Sequence, residues 1–145
     1  MDLFCDSTVL VAAMAAAHPH HNRARLILES IIMRTNRGLA AAHSLAEMYT
    51  ALTRMPVSPR IHPKDAEKLI QANIVPHLQL VYAYERDYLG AISMVANLGL
   101  PGGKACDALI LQCAAKSGAD RILTFNTAGL IELADAQTAS KISAP

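Results

Sequence analysis

Short apolar runs alternate with longer segments of helical periodicity along most of the chain, and this alternation narrows the fold more than any single residue does. Leu3-Phe4-Cys5 reads as a strand closed by Asp6-Ser7-Thr8, and Val9 to Ala17 as a helix ending near His18-Pro19. A second helix is expected from about Asn22 to Arg34, with Ala24, Ile27, Leu28, Ile31 and Ile32 on one face and Asn36-Arg37-Gly38 as its stop. Leu39 to Ala42 reads as a strand of small residues. Ser44-Leu45-Ala46-Glu47 then opens a helix with Leu45, Met48, Tyr49 and Leu52 as its core stripe, ended by Met55-Pro56. Pro56 to Pro63 lacks periodicity and reads as a loop, followed by a helix from Lys64 to Ile74 and a strand from Gln79 to Tyr82. Glu85 to Asn97 is the next helix, Gly99 to Gly103 the most flexible stretch, Lys104 to Lys116 a helix ended at Gly118, and Arg121 to Phe125 a strand. Alternation of this kind implies an α/β layered domain with a mostly parallel sheet and right-handed crossovers.

With 145 residues, one domain is expected, over residues 1–133, with 134–145 as a tail that frays or adds an edge strand. Hydrophobic residues make up 52% and tryptophan is absent, so the core must be aliphatic. The net charge of +1 says nothing for or against an anionic partner, and any nucleic-acid surface is expected to be a local patch, for which Arg23, Arg25, Arg34, Arg37, Arg54 and Arg60 are available. Cys5, Cys106 and Cys113 lack the paired spacing of a zinc site and read as buried reduced thiols. No apolar run approaches the roughly 20 residues of a membrane helix and no basic leader precedes one, so a cytoplasmic protein is expected.

Three acids interrupt the apolar pattern. Asp6 follows the first strand, Glu47 stands in the turn that opens the third helix, and Asp107 shares a helical face with Ile110, Leu111 and Ala114. Each has a structural reading: Asp6 as a helix N-cap, Ser44-x-x-Glu47 as a capping box, Asp107 as a charge complementing the helix dipole. Each also has a functional one. In open parallel sheets sites form beyond the carboxyl ends of strands, where these acids and the Thr124 to Asn126 turn are expected. Three oxygen donors from separate elements suit Mg²⁺ or Mn²⁺, which activate water for attack on a phosphodiester. A phosphate-binding glycine loop is not supported, because Leu98 and Ala105 replace its required residues around Gly103-Lys104, although Lys104 remains a candidate RNA-phosphate contact. His18, His20 and His21 read as surface residues, and neither a nucleophile elbow nor a histidine-anchored zinc-protease motif is present.

The segments Phe4 to Val11, Ser44 to Glu47, Cys106 to Ile110 and Ile122 to Asn126 together resemble the four ordered motifs of PIN domains, over residues 2 to about 131. The subgroup they are most similar to is the VapC-like toxins of prokaryotic toxin-antitoxin pairs. The resemblance implies a three-layer α/β/α domain and a Mg²⁺- or Mn²⁺-dependent endoribonuclease. Carried over by position, Asp6, Glu47 and Asp107 would be the catalytic, metal-binding acids, Asn126 a fourth metal ligand, and Ser7, Thr8 and Thr124 polar support. The resemblance further implies a homodimer and an antitoxin partner whose basic residue enters the acidic pocket. Two positions depart from the motif: Asn126 stands where many members have Asp, and Gly129-Leu130 where Asp-Phe is common. They motivate a second reading, a PIN-like RNA- or protein-binding domain with an eroded site. A phosphatase using Asp6 as nucleophile is a third, opposed by Thr8 where a second aspartate is expected.

Overall fold

A computed structural model describes residues 1–145. Five strands, β1 (Asp2–Cys5), β2 (Arg37–Ala41), β3 (Leu78–Val81), β4 (Arg121–Leu123) and β5 (Ile142–Ser143), form one sheet in the order β3-β2-β1-β4-β5, and every pairing is parallel. Between them run α1 (Ser7–Met14), α2 (His21–Ile32), α3 (Ser44–Arg54), α4 (Pro63–Asn73), α5 (Glu85–Asn97), α6 (Lys104–Ser117), α7 (Thr127–Ile131) and α8 (Ala136–Ala139).

Strand alternation divides the interior in two. Leu3, Cys5, Ala40, Leu78 and Leu123 point to one side, where they pack with α1, α2, α3 and α4 through Leu10, Leu28, Ile31, Met48, Leu52 and Ile70. Phe4, Leu39, Ala41 and Ile122 point to the other, against Ala91 and Val95 of α5 and Leu109, Ile110 and Cys113 of α6. Both faces of the central strands are therefore covered, which is why β1 and β2 read as nearly continuous apolar or small-residue runs. Gly38 lets α2 approach the sheet: a Cβ there would lie 2.8 Å from Ile31 and 3.0 Å from Leu78. Gly118 closes α6 with φ 72°, the left-handed conformation a glycine adopts without a Cβ penalty.

Several elements differ from the sequence expectation. α1 stops at Met14 although alanines continue to Ala17, and the imidazole Nδ1 of His21 lies 2.9 Å from the Ala12 carbonyl, one of those a helix end leaves open. Ile32 and Tyr49 are exposed, because Leu28 and Ile31, and Met48 and Leu52, already fill the contact stripes of α2 and α3. β4 ends at Leu123, since the chain turns where the Thr124 hydroxyl accepts the Asn126 N–H at 3.0 Å. Cys106 is exposed in the first turn of α6, unlike the buried Cys5 and Cys113. The final residues add β5 alongside β4, fastened by Arg121 to the Ser143 hydroxyl at 2.7 Å and by Lys141 to the Ala119 carbonyl at 2.9 Å.

Candidate active site

Strands β1, β2 and β3 run outward in one direction from the middle of the sheet and β4 and β5 in the other, so the strand order reverses between β1 and β4. A crevice opens at such a reversal, beyond the carboxyl ends of the two strands. Asp6 follows β1 there and Thr124 follows β4.

Asp6 is buried and both oxygens of its carboxylate are hydrogen-bonded. One oxygen accepts the Ser7 N–H at 2.7 Å, capping α1; the other accepts the hydroxyls of Thr8 at 3.0 Å and Thr124 at 2.8 Å. Those hydroxyls in turn accept backbone N–H groups, Phe125 at 3.1 Å to Thr8 and Asn126 at 3.0 Å to Thr124. The capping and functional readings of Asp6 are thus compatible, because the cap fixes where the carboxylate points.

Glu47 is different. No capping box forms: His43 occupies the N-cap position of α3, and the buried Ser44 hydroxyl and Glu47 Oε1 both lack hydrogen-bond partners. A buried unpartnered carboxylate oxygen is costly. Burial raises the Glu47 pKa, and the charges of Asp6 and Asp107 raise it further, from the ordinary 4.5 to about 7. Asp107 is half-buried in the first turn of α6, whose last residues lead into β4, so its first turn lies at the crevice edge. Its pKa is raised by burial, opposed by the nearby Lys104 cation and reinforced by Asp6. Each of these acids thus feels the charge of a neighbouring one.

No three Asp, Glu, His or Cys side chains are gathered tightly enough to hold an ion as they stand. The orphaned Glu47 oxygen and the hard oxygen donors fit such an ion.

Asn126 is exposed at the start of α7 and makes no capping bond. Its carboxamide lies over Gly129, where a Cβ would come within 2.5 Å of Oδ1 and Nδ2. The two departures from the motif are consequently coupled: the absence of a side chain at 129 makes room for Asn126. Lys104 pairs with Glu132 at 2.9 Å and reaches the Gly129 carbonyl at 3.5 Å, so it is positioned beside Asp107 rather than free in solvent.

The histidines were not legible as part of the site. His20 is exposed, but its ring stacks on Phe125 with centroids 4.5 Å apart, and His18 is half-buried with its ring 6.4 Å from the same phenyl. The contact joins residues more than a hundred positions apart, and nothing local signals it.

An all-parallel α/β domain whose strand order reverses beside the buried Asp6 is the class defined by this arrangement. The PIN domain family model matches residues 3–136, and the chain belongs to the PIN domain family. No curated protein sequence matches the chain significantly. Among solved structures it is similar to VapC20 of Mycobacterium tuberculosis, a sarcin-ricin loop cleaving toxin, at 15% identity and TM-score 0.66 over 95% of this chain and 93% of that one. VapBC2 of Rickettsia felis, bound to a promoter DNA fragment, is similar at 16% identity and TM-score 0.62, over 92% of this chain and 93% of that one. FitAcB of Neisseria gonorrhoeae follows at 15% identity and TM-score 0.62, over 99% and 96%. At these identities the likeness is one of fold.

Proposed function

We propose that this protein is a metal-dependent endoribonuclease that acts as the toxin of a toxin-antitoxin pair. The observation that carries the reading is the half-buried Glu47 carboxylate, without a hydrogen-bond partner for Oε1 and facing the charges of Asp6 and Asp107. A pocket of this kind is destabilised until a cation enters it. Asp6, Glu47 and Asp107 would hold the ion, with the Asn126 carboxamide as a neutral fourth donor. A bound Mg²⁺ or Mn²⁺ supplies activation of water and neutralisation of phosphate charge for in-line attack on a phosphodiester. Ser7, Thr8 and Thr124 fix the Asp6 carboxylate by hydrogen bonds, and Lys104, which would leave its ion pair with Glu132, is the cation assigned to an RNA phosphate.

The wider setting proposed is cytoplasmic, with a cognate antitoxin and a homodimer. Membership of the family and the fold shared with toxin and toxin-antitoxin structures support it. So do the exposed Leu26 of α2, Met33 at its C-terminal end and the exposed Tyr88, Leu89 and Ile92 of α5, apolar area that a partner would cover. No helix is long and apolar enough to cross a membrane.

A second reading, an RNA- or protein-binding domain with an eroded site, is favoured by Asn126 and Gly129, which leave the fourth position without charge. Cleavage of single-stranded RNA in Mg²⁺ or Mn²⁺ separates the two. The nuclease reading expects turnover by the wild type, none in chelator, and a loss of at least about 10³-fold in Asp107→Asn with the fold intact. Retained cleavage in both Asp6→Asn and Asp107→Asn would remove it.

A further inference from the structure

Beside the carboxylates lies a groove whose aromatic and cationic lining the proposed chemistry does not use. It has a volume of about 860 Å³ and is bordered by His18, His20, Phe125 and Arg54. His20 lies nearly parallel to Phe125, at 18°, while His18 is inclined by 27° to Phe125 and by 45° to His20, so His20 and Phe125 stack face to face and His18 flanks them at a tilt. Burial lowers the His18 pKa and the neighbouring His20 and His21 lower it further, which favours an uncharged ring. The platform is anchored to the acid site, because Asn126 follows Phe125 and the Phe125 N–H is held by Thr8, whose own hydroxyl donates to Asp6.

Arg54 supplies the second half of the argument. It is exposed at the end of α3, and its guanidinium forms no ion pair or hydrogen bond. It borders both this groove and the adjoining hollow that contains His43 and Glu47, and Ser7 and Ala51 are likewise common to both. A strand that placed a phosphate at the acids would therefore pass Arg54 and bring a neighbouring base to the rings. Every base has a face that stacks on an aromatic ring, and unpaired RNA bases are commonly held that way. Guanidinium groups are suited to phosphate. Val11, Met55 and Val57 also line the groove, but the unpaired Arg54 cation beside the stacked rings and next to the acid site is complementary to a phosphate-bearing strand, which favours single-stranded RNA as the occupant.

We propose that His18, His20 and Phe125 form a stacking platform for an unpaired base of single-stranded RNA, with Arg54 on the adjoining phosphate. The proposal rests on the nuclease reading and specifies where that substrate is gripped. Its test uses the full chain in chelator, titrated with single-stranded RNA carrying 2-aminopurine at one position at a time. Binding by the wild type should quench the probe at one favoured position. His20→Ala should weaken binding about tenfold and abolish the quench, with His20→Phe restoring both. The loop survives this change, since the bond from residue 20 to His18 Nδ1 is made by the backbone N–H. Arg54→Ala should weaken binding while leaving the quench at saturation. Equal affinity and quench in His20→Ala would overturn the proposal and leave the groove to a protein partner, as would the absence of quenching at every position in the wild type. Position-specific quenching in chelator without cleavage after Mg²⁺ or Mn²⁺ is added would support the platform and remove the nuclease reading.

Discussion

Asp6 and Glu47 carry the same functional group in opposite surroundings. Asp6 is satisfied by three donors, whereas Glu47 is half-buried with an open oxygen and a pKa near 7. The sign of the consequence is fixed. The folded state keeps a proton on Glu47 that the unfolded chain gives up above about pH 4.5, so stability falls as pH rises from there through 7. Below that window the penalty is absent; above it the penalty is complete. Glu47→Gln should therefore stabilise the metal-free protein at pH 8, by about 1–2 kcal/mol after discounting for the solvated part of the side chain, and by nearly nothing at pH 4. Urea unfolding in chelator at the two pH values checks this, and a pH-independent difference would contradict it. The sequence placed Asp6, Glu47 and Asp107 as acids out of keeping with their apolar neighbours. It could not separate a capping box from an open carboxylate, because Ser44-x-x-Glu47 fits both and only the tertiary position of the α3 start decides between them.

Two helices show how a missing side chain controls an element's position. α2 sits against β2 because Gly38 admits Ile31, and Gly38→Ala should cost about 1–3 kcal/mol, read by chemical denaturation, since Ile31 is buried and cannot give way. Gly129 in α7 is the opposite case: the group it would strike is the exposed Asn126 carboxamide, which can swing aside. Gly129→Ala should thus leave stability unchanged or slightly higher, because alanine is the better helix former by up to about 1 kcal/mol. The same change should weaken Mn²⁺ binding by less than about tenfold, the loss of one neutral donor. Calorimetric titration and a thermal melt of the same variant read both effects; unaltered Mn²⁺ affinity would show that Asn126 is no ligand. Helix and strand order was legible from periodicity, and Glu85–Asn97 matches its expected span to the residue. The early end of α1 was not, because the His21 contact with the Ala12 carbonyl is a tertiary one that the alanine run conceals.

The molecule as a whole is organised by the reversal of strand order between β1 and β4. It brings the ends of strands more than a hundred residues apart side by side, so that Thr124 bonds Asp6 and Phe125 reaches the histidine loop. Parallel topology followed from the alternating pattern and its crossovers. The ring and arginine groove did not, since no periodicity links residues 18, 20, 54 and 125. The claim on which the account turns is that Asp6, Glu47 and Asp107 jointly seat one divalent ion. Electron paramagnetic resonance of Mn²⁺ titrated into the chelator-stripped protein tests it most directly. Stoichiometric binding that weakens at least about tenfold in Asp107→Asn, with the fold unchanged, is the predicted result; Mn²⁺ affinity identical in the wild type and in Asp107→Asn would contradict it.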